Sequence, residues 1–145
     1  MTATVDTNVL IYAASTKSQR HTRALELLDR LSTGPGLLTL FWPVLLGYVR
    51  IVTNPLIVSP PLSTEEAVSN VDSLLARPHV RTASEQDGFW QAFRRTAGPV
   101  AAKGNLVTDA HIAALMHQHG VREIWTRDRD FRKFDGIVVR DPFAN

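Results

Sequence analysis

The sequence predicts an α/β domain built on a mostly parallel sheet with helices over both faces. Three observations predict it. Short apolar runs alternate with longer segments of helical apolar spacing along the whole chain. Glycine and proline punctuate the ends of those segments, as at Gly34-Pro35-Gly36, Asn54-Pro55 and Gly98-Pro99. The chain has 145 residues and is 44% hydrophobic, which suits a single domain, 1–145, with a sizeable core.

Taken in order, Ala3 to Val5 reads as a buried strand, with Asp6 at its end and a helix starting through Val9-Leu10-Ile11-Tyr12. Thr22 to Leu31 carries Ala24, Leu25, Leu28 and Leu31 at helical spacing, with charges between them. Leu37 to Leu40 reads as the second strand. Trp42 to Val52 is a strong helix closed by Asn54-Pro55. Ser63-Thr64-Glu65-Glu66 has the form of a capped start, and that helix runs to about Arg77. Val80 to Ala83 is a weaker strand and Gln86 to Thr96 a helix. Leu106 to His119 is a helix with Gly120 as its C-cap. Glu123 to Thr126 and Ile137 to Val139 are short strands, and Asp141 to Asn145 a short extension.

Composition narrows the chemistry. With no cysteine, disulfides, thiolate metal sites and cysteine nucleophiles are excluded together, which fits a reducing, cytoplasmic setting. No apolar run approaches the ~18 residues of a membrane span. The N-terminus lacks the basic region and apolar stretch of a signal peptide. Net charge is only +2, from 16 basic and 14 acidic residues. Setting Asp6, Asp109, Asp128 and Asp130 apart leaves 10 acids against the 16 bases. An acidic pocket in a basic surface suits a polyanionic substrate; a mildly basic soluble protein is the plainer alternative.

Those four acids carry the chemistry. Asp6 and Asp128 each follow a predicted strand end, and Asp109 sits at a helix start. In parallel sheets ligands bind beyond the carboxyl ends of the strands, so the pattern predicts one site at one sheet edge. Carboxylates at ~4 Å repel by about 1 kcal/mol in water and ~4 near a protein surface. A hard cation between them reverses that cost. Mg²⁺ takes oxygen ligands, polarises phosphoryl oxygens and activates water. Each acid also has a structural alternative. Asp6 can cap a helix. Asp109 can favour a helix dipole. Asp128 and Asp130 can pair with Arg127, Arg129 or Arg132. Jointly, the metal-site reading accounts for more of the pattern.

In these segments the chain resembles a PIN-domain ribonuclease of the VapC-type toxin family. The resemblance rests on Val5-Asp6-Thr7-Asn8-Val9-Leu10, on Trp42-Pro43-Val44-Leu45 through Arg50-Ile51-Val52-Thr53-Asn54-Pro55, on Asp109-Ala110-His111-Ile112-Ala113-Ala114, and on Thr126-Arg127-Asp128-Arg129-Asp130-Phe131. It implies a three-layer α/β/α sandwich, Mg²⁺- or Mn²⁺-dependent cleavage of RNA, a homodimer, and neutralisation by a VapB-type antitoxin. It implies metal binding by Asp6, Asp109 and Asp128, an accessory acid at Asp130, and polar support from Asn8 and Thr126. Products would end in 5′-phosphate and 3′-hydroxyl.

The chain departs from the family at Gly47, where similar members carry a glutamate three residues before the arginine matched by Arg50. No acid occurs between Asp29 and Glu65 to replace it. A helix-interior glycine costs ~1 kcal/mol relative to alanine and is ordinarily explained by close packing. Its coincidence with the missing ligand predicts impaired catalysis, by natural decay or by deliberate change.

The remaining candidates are less specific. The five histidines show no metal-ligand spacing: His111 points away from Asp109, His117 and His119 end a helix toward solvent or its dipole, and His21 and His79 lack partners. Trp42, Trp90 and Trp125 can stack bases, but each lies in an apolar pattern that favours core or interface packing. Arg127, Arg129, Arg132 and Lys133 flank the metal loop and suit phosphate contacts better than Arg94, Arg95 or Lys103. A solvated charged surface is the alternative for all of them. Arg50 can reach the site or meet an antitoxin carboxylate, the latter on resemblance alone. The functional alternative to a nuclease toxin is a catalytically degenerate PIN-like binding module acting through its antitoxin complex. A phosphatase using Asp6 as nucleophile ranks last, because Asn8 stands where a second acid is needed.

Overall fold

The computed structural model describes residues 2–144; Met1 and Asn145, the first and last residues of the expected domain, lie outside the described residues. Strand β1 (Thr2–Val5) leads to helices α1 (Thr7–Ala14) and α2 (His21–Ser32), and β2 (Leu37–Phe41) to α3 (Trp42–Val52) and α4 (Thr64–Leu75). Strand β3 (Val80–Ala83) leads to α5 (Phe89–Ala97) and α6 (Asn105–His119). Strand β4 (Glu123–Trp125) continues into a 3-10 turn at Arg129–Lys133, and β5 (Val138–Arg140) follows.

The five strands form one sheet in the order β3-β2-β1-β4-β5, and every pair is parallel. From β1 the chain winds outward through β2 to β3, then returns across the sheet to β4 and β5. Right-handed crossovers put the helices of those two excursions on opposite faces. Thus α1 packs on α2 and α3, and α3 on α4, while α5 packs on α6 and α6 on the 3-10 turn. The predicted three-layer α/β/α arrangement is therefore observed.

The sheet is clamped from both sides, so its central strands carry little polarity. Val5, Leu38, Leu40, Phe41 and Ile124 are fully buried. Helix α6 is buried nearly all round through Ala110 and Ile112 to Met116. Local chemistry sets the helix ends. Ser63 and Glu66 form the reciprocal capping box, with the Ser63 hydroxyl accepting from Glu66 N at 3.0 Å and the Glu66 carboxylate accepting from Ser63 N at 3.1 Å. Gly120 takes a left-handed φ of 66° to end α6.

Three expectations need correction. Helix α5 begins at Phe89 rather than Gln86, because Gly88 adopts a φ of 82° and the 86–87 backbone is held by Gln118. Trp90, expected in core or interface packing, is 64% exposed on α5, so the core half of that expectation is overturned. His117 and His119 do not simply face solvent. His117 bonds Thr96 and the Asp135 carbonyl, and His119 the Ser84 carbonyl.

Candidate metal centre

Strand order decides where the acids meet. At β1 the winding reverses, so β2 and β4 flank it and the carboxyl ends of β1 and β4 open a crevice. Asp6 leaves β1 there, and its backbone N donates to Trp125 O at 3.1 Å, one step beyond the β1–β4 ladder. Thr126 and Asp128 leave β4 at the same edge.

Asp6 has the capping role weighed for it. It is the N-cap of α1, with Oδ1 accepting from Thr7 N at 2.7 Å. Its Oδ2 accepts from the Thr126 hydroxyl at 2.9 Å. Burial pushes its pKa up, the Thr126 and Thr7 hydrogen bonds pull it down, and the Asp128 charge pushes it up again. Thr126 is fully buried, and its hydroxyl also accepts from Asp128 N at 2.9 Å. One side chain therefore ties the first acid to the third. Asp128 in turn caps the 3-10 turn, its Oδ1 accepting from Asp130 N at 2.9 Å. Phe131, fully buried, anchors that turn to the core.

Asp109 comes from the other helical layer. It is the fifth residue of α6 and lies past the first turn, which weakens the helix-dipole explanation. Asp109, Asp128 and Asp130 each offer an oxygen within 4.8 Å of the others. Burial, followed by the charges of Asp128, Asp6 and Asp130, raises the Asp109 pKa to about 7. Asp6 stands beside this trio and acts on it through its charge. Lys133 reaches Asp130 Oδ1 at 3.3 Å. The Oδ1 of Asn8 is buried without a hydrogen-bond partner two residues past Asp6. An all-oxygen donor set drawn this close, with the Asp109 pKa pushed up by burial and by its neighbours' charges, fits a hard divalent cation.

Gly47 faces the same corner. A Cβ added there would lie 3.4 Å from Thr7 Oγ1 and 3.7 Å from Thr7 Cγ2, ordinary contact distances. Close packing therefore does not require glycine, and a side chain at 47 would start beside the residue that follows Asp6. Arg50 and Arg129 are exposed, and neither guanidinium has a hydrogen-bond or ion-pair partner among the described residues. Arg127 donates from Nη1 to Tyr12 Oη at 3.3 Å. Sequence reasoning did not anticipate the Lys133–Asp130 pair or the contact with Tyr12; Lys133 was singled out only as a cation beside the loop. Among the described residues no helix is long and apolar enough to cross a membrane.

Comparison with known proteins identifies the family and the fold. The PIN domain family model matches residues 3–137. Ribonuclease VapC48 of Mycobacterium tuberculosis is 51% identical over 144 residues, covering 99% of each chain. Among solved structures, the fold is similar to Mycobacterium tuberculosis VapC20, a Sarcin-Ricin loop cleaving toxin, with a TM-score of 0.66 and 20% identity over 93% of this chain and 98% of that one. It is also similar to VapBC2 from Rickettsia felis, bound to a DNA fragment from their promoter, with a TM-score of 0.69 and 17% identity over 97% and 98% of the two chains. The chain belongs to the PIN-domain family, among the VapC ribonucleases.

Proposed function

We propose that the chain is the toxin of a VapBC-type toxin–antitoxin pair, an endoribonuclease that hydrolyses RNA phosphodiesters and needs Mg²⁺ or Mn²⁺. The observation that carries this reading is the trio of carboxylate oxygens within 4.8 Å, brought together by α6 and the turn after β4 near the sheet's switch point. The 51% identical relative is named a ribonuclease, which supports the substrate class. Asp109, Asp128 and Asp130 would hold the cation, with Asp6 beside them kept in register by Thr126. Once bound, a divalent cation supplies Lewis-acid polarisation of a phosphoryl oxygen and lowers the pKa of water. Asp109, whose pKa is raised to about 7, would have to bind such a cation as the carboxylate. Arg127 and Arg129 are placed beside the acids to bind phosphates of the strand.

The antitoxin reading draws on the VapBC complex among the structural neighbours and on an apolar cleft of about 330 Å³ between α1, α2, α3 and α4. Leu10, Leu28, Tyr48, Val71 and Leu74 line it, with Asn70 and Arg77 as polar edges. Such a cleft suits the apolar face of an amphipathic helix.

A second reading is favoured by one position. Gly47 offers no carboxylate where the family resemblance expects one, so the chain as it stands would be impaired, or would act as a binding module. The deciding experiment is RNA cleavage by this chain and by Gly47→Glu, each with Mn²⁺ and with chelator. We expect the glutamate form to cut only with metal, and this chain to cut weakly or not at all. Silence from both across several structured RNAs would favour the binding module. Full activity of the unaltered chain would remove Gly47 from the account.

A further inference from the structure

Residues 141–144, part of the stretch expected to be a short extension, are built into the molecule. Asp141 Oδ1 accepts from Phe143 N at 2.8 Å and folds the tail back. Phe143 O accepts from Arg23 Nη1 at 3.0 Å. The Phe143 ring meets Tyr12 of α1 edge-on, with centroids 5.2 Å apart at 87°. The Arg20 guanidinium lies over both rings, 5.4 Å from Tyr12 and 5.8 Å from Phe143. On its far side Tyr12 Oη accepts from Arg127. The tail, the α1–α2 corner and the metal loop thus converge on one phenol.

Arg127 differs from the ion-paired Arg77 and Arg140 and is like Arg81, whose Nε donates to the neutral Thr39 Oγ1 at 2.8 Å. Arg77 and Arg140 are held by Asp29 and Glu123, which neutralise them. Arg127 is held by a neutral oxygen, so its charge and most of its donors are unspent. Its backbone is fixed between Thr126, which bonds two acids, and Asp128. Only the side chain remains to be ordered, and an arginine ordered in advance loses less entropy on binding a phosphate.

We propose that Phe143 and Arg20 brace Tyr12 so that Tyr12 presents Arg127 to a phosphate of the RNA strand beside the acidic cluster. Arg127 is the binding residue; Tyr12, Arg20 and Phe143 are positioning residues. This rests on the RNA-cleaving reading above.

The test uses the full chain with fluorescein-labelled single-stranded RNA in chelator, so that binding is read without cleavage. Affinity is measured against salt for Arg127→Ala, Tyr12→Phe, Phe143→Ala, Phe143→Tyr and the Arg127→Ala/Phe143→Ala double variant. Arg127→Ala should weaken binding about tenfold and flatten the log–log salt slope by about 0.7, one phosphate contact on a single strand. Tyr12→Phe and Phe143→Ala should each weaken it about threefold with the slope unchanged, and Phe143→Tyr should restore it. In the Arg127→Ala background, Phe143→Ala should add nothing. The proposal is overturned if Phe143→Ala binds like the parent, if its loss persists without Arg127, or if Arg127→Ala leaves the slope intact. In those cases steep, salt-dependent binding by the parent still supports the RNA reading. A parent that binds no RNA sinks both.

Discussion

One hydroxyl, that of Thr126, holds Asp6 and the Asp128 backbone together, and the cost of gathering the acids falls on Asp109. Its pKa of about 7 means that the metal-free folded state keeps a proton which the unfolded chain releases near 3.8. Between those values the folded state binds more protons than the unfolded state, so this contribution to stability falls as pH rises from about 4 to 7. In chelator, the melting-temperature advantage of the parent over Asp109→Asn should therefore shrink across that window. Taking the difference cancels opposing carboxylates such as Glu85, whose pKa is lowered chiefly by its hydrogen bond to His111. Mn²⁺ should abolish the pH trend by taking the proton's place. A difference that stays level from pH 4 to 7 would mean that Asp109 is not the strained acid. The acids were legible in the sequence because each follows an apolar run or sits in a helical pattern. Thr126 was legible only as a polar neighbour, and its double hydrogen bond needed the fold. Tyr12 and Phe143 carried no local signal for their contacts, since their partners lie more than a hundred residues away.

Among the elements, α3 is the most informative. It is a well-packed helix with Val44, Leu45, Tyr48 and Val52 buried, interrupted by a glycine that the surrounding space does not demand. Gly47→Ala should stabilise the fold by about 1 kcal/mol, raising the melting temperature by a few degrees. A loss of stability would reveal a packing constraint at Thr7 after all. Helix limits were readable where caps are local, as at Asp6, Ser63 and Gly120. They were misread at α5, where Gly88 in a left-handed conformation starts the helix late. The 3-10 turn was missed because five residues around the single buried Phe131 carry no periodicity. Helix α6, buried on almost every side, has no apolar stripe from which the direction of Asp109 could be read.

At the scale of the molecule, the outward apolar residues of α3 and the turn after it are unspent. Leu46 is 63% exposed, Leu56 93% and Ile57 59%. These residues support the homodimer that the family resemblance implies, since apolar surface of this kind marks association sites. Sedimentation should report a dimer for the parent and a monomer for Leu46→Glu/Ile57→Glu, with the melting behaviour of a folded chain retained. A parent that is monomeric at micromolar concentration would assign that face another use.

The hydrogen bond from Thr126 to Asp6 spans 120 residues of chain. A ribosome adding roughly 5–20 residues per second makes the first acid several seconds before the hydroxyl that orients it. Throughout that interval the nascent polypeptide holds its acids unassembled, because Asp109, Asp128 and Asp130 must all be made before they can meet beside Asp6. The winding that sets β1 between β2 and β4 at the middle of the sheet thus acts as a timer, deferring the acidic cluster until β4 and the loop after it have been made.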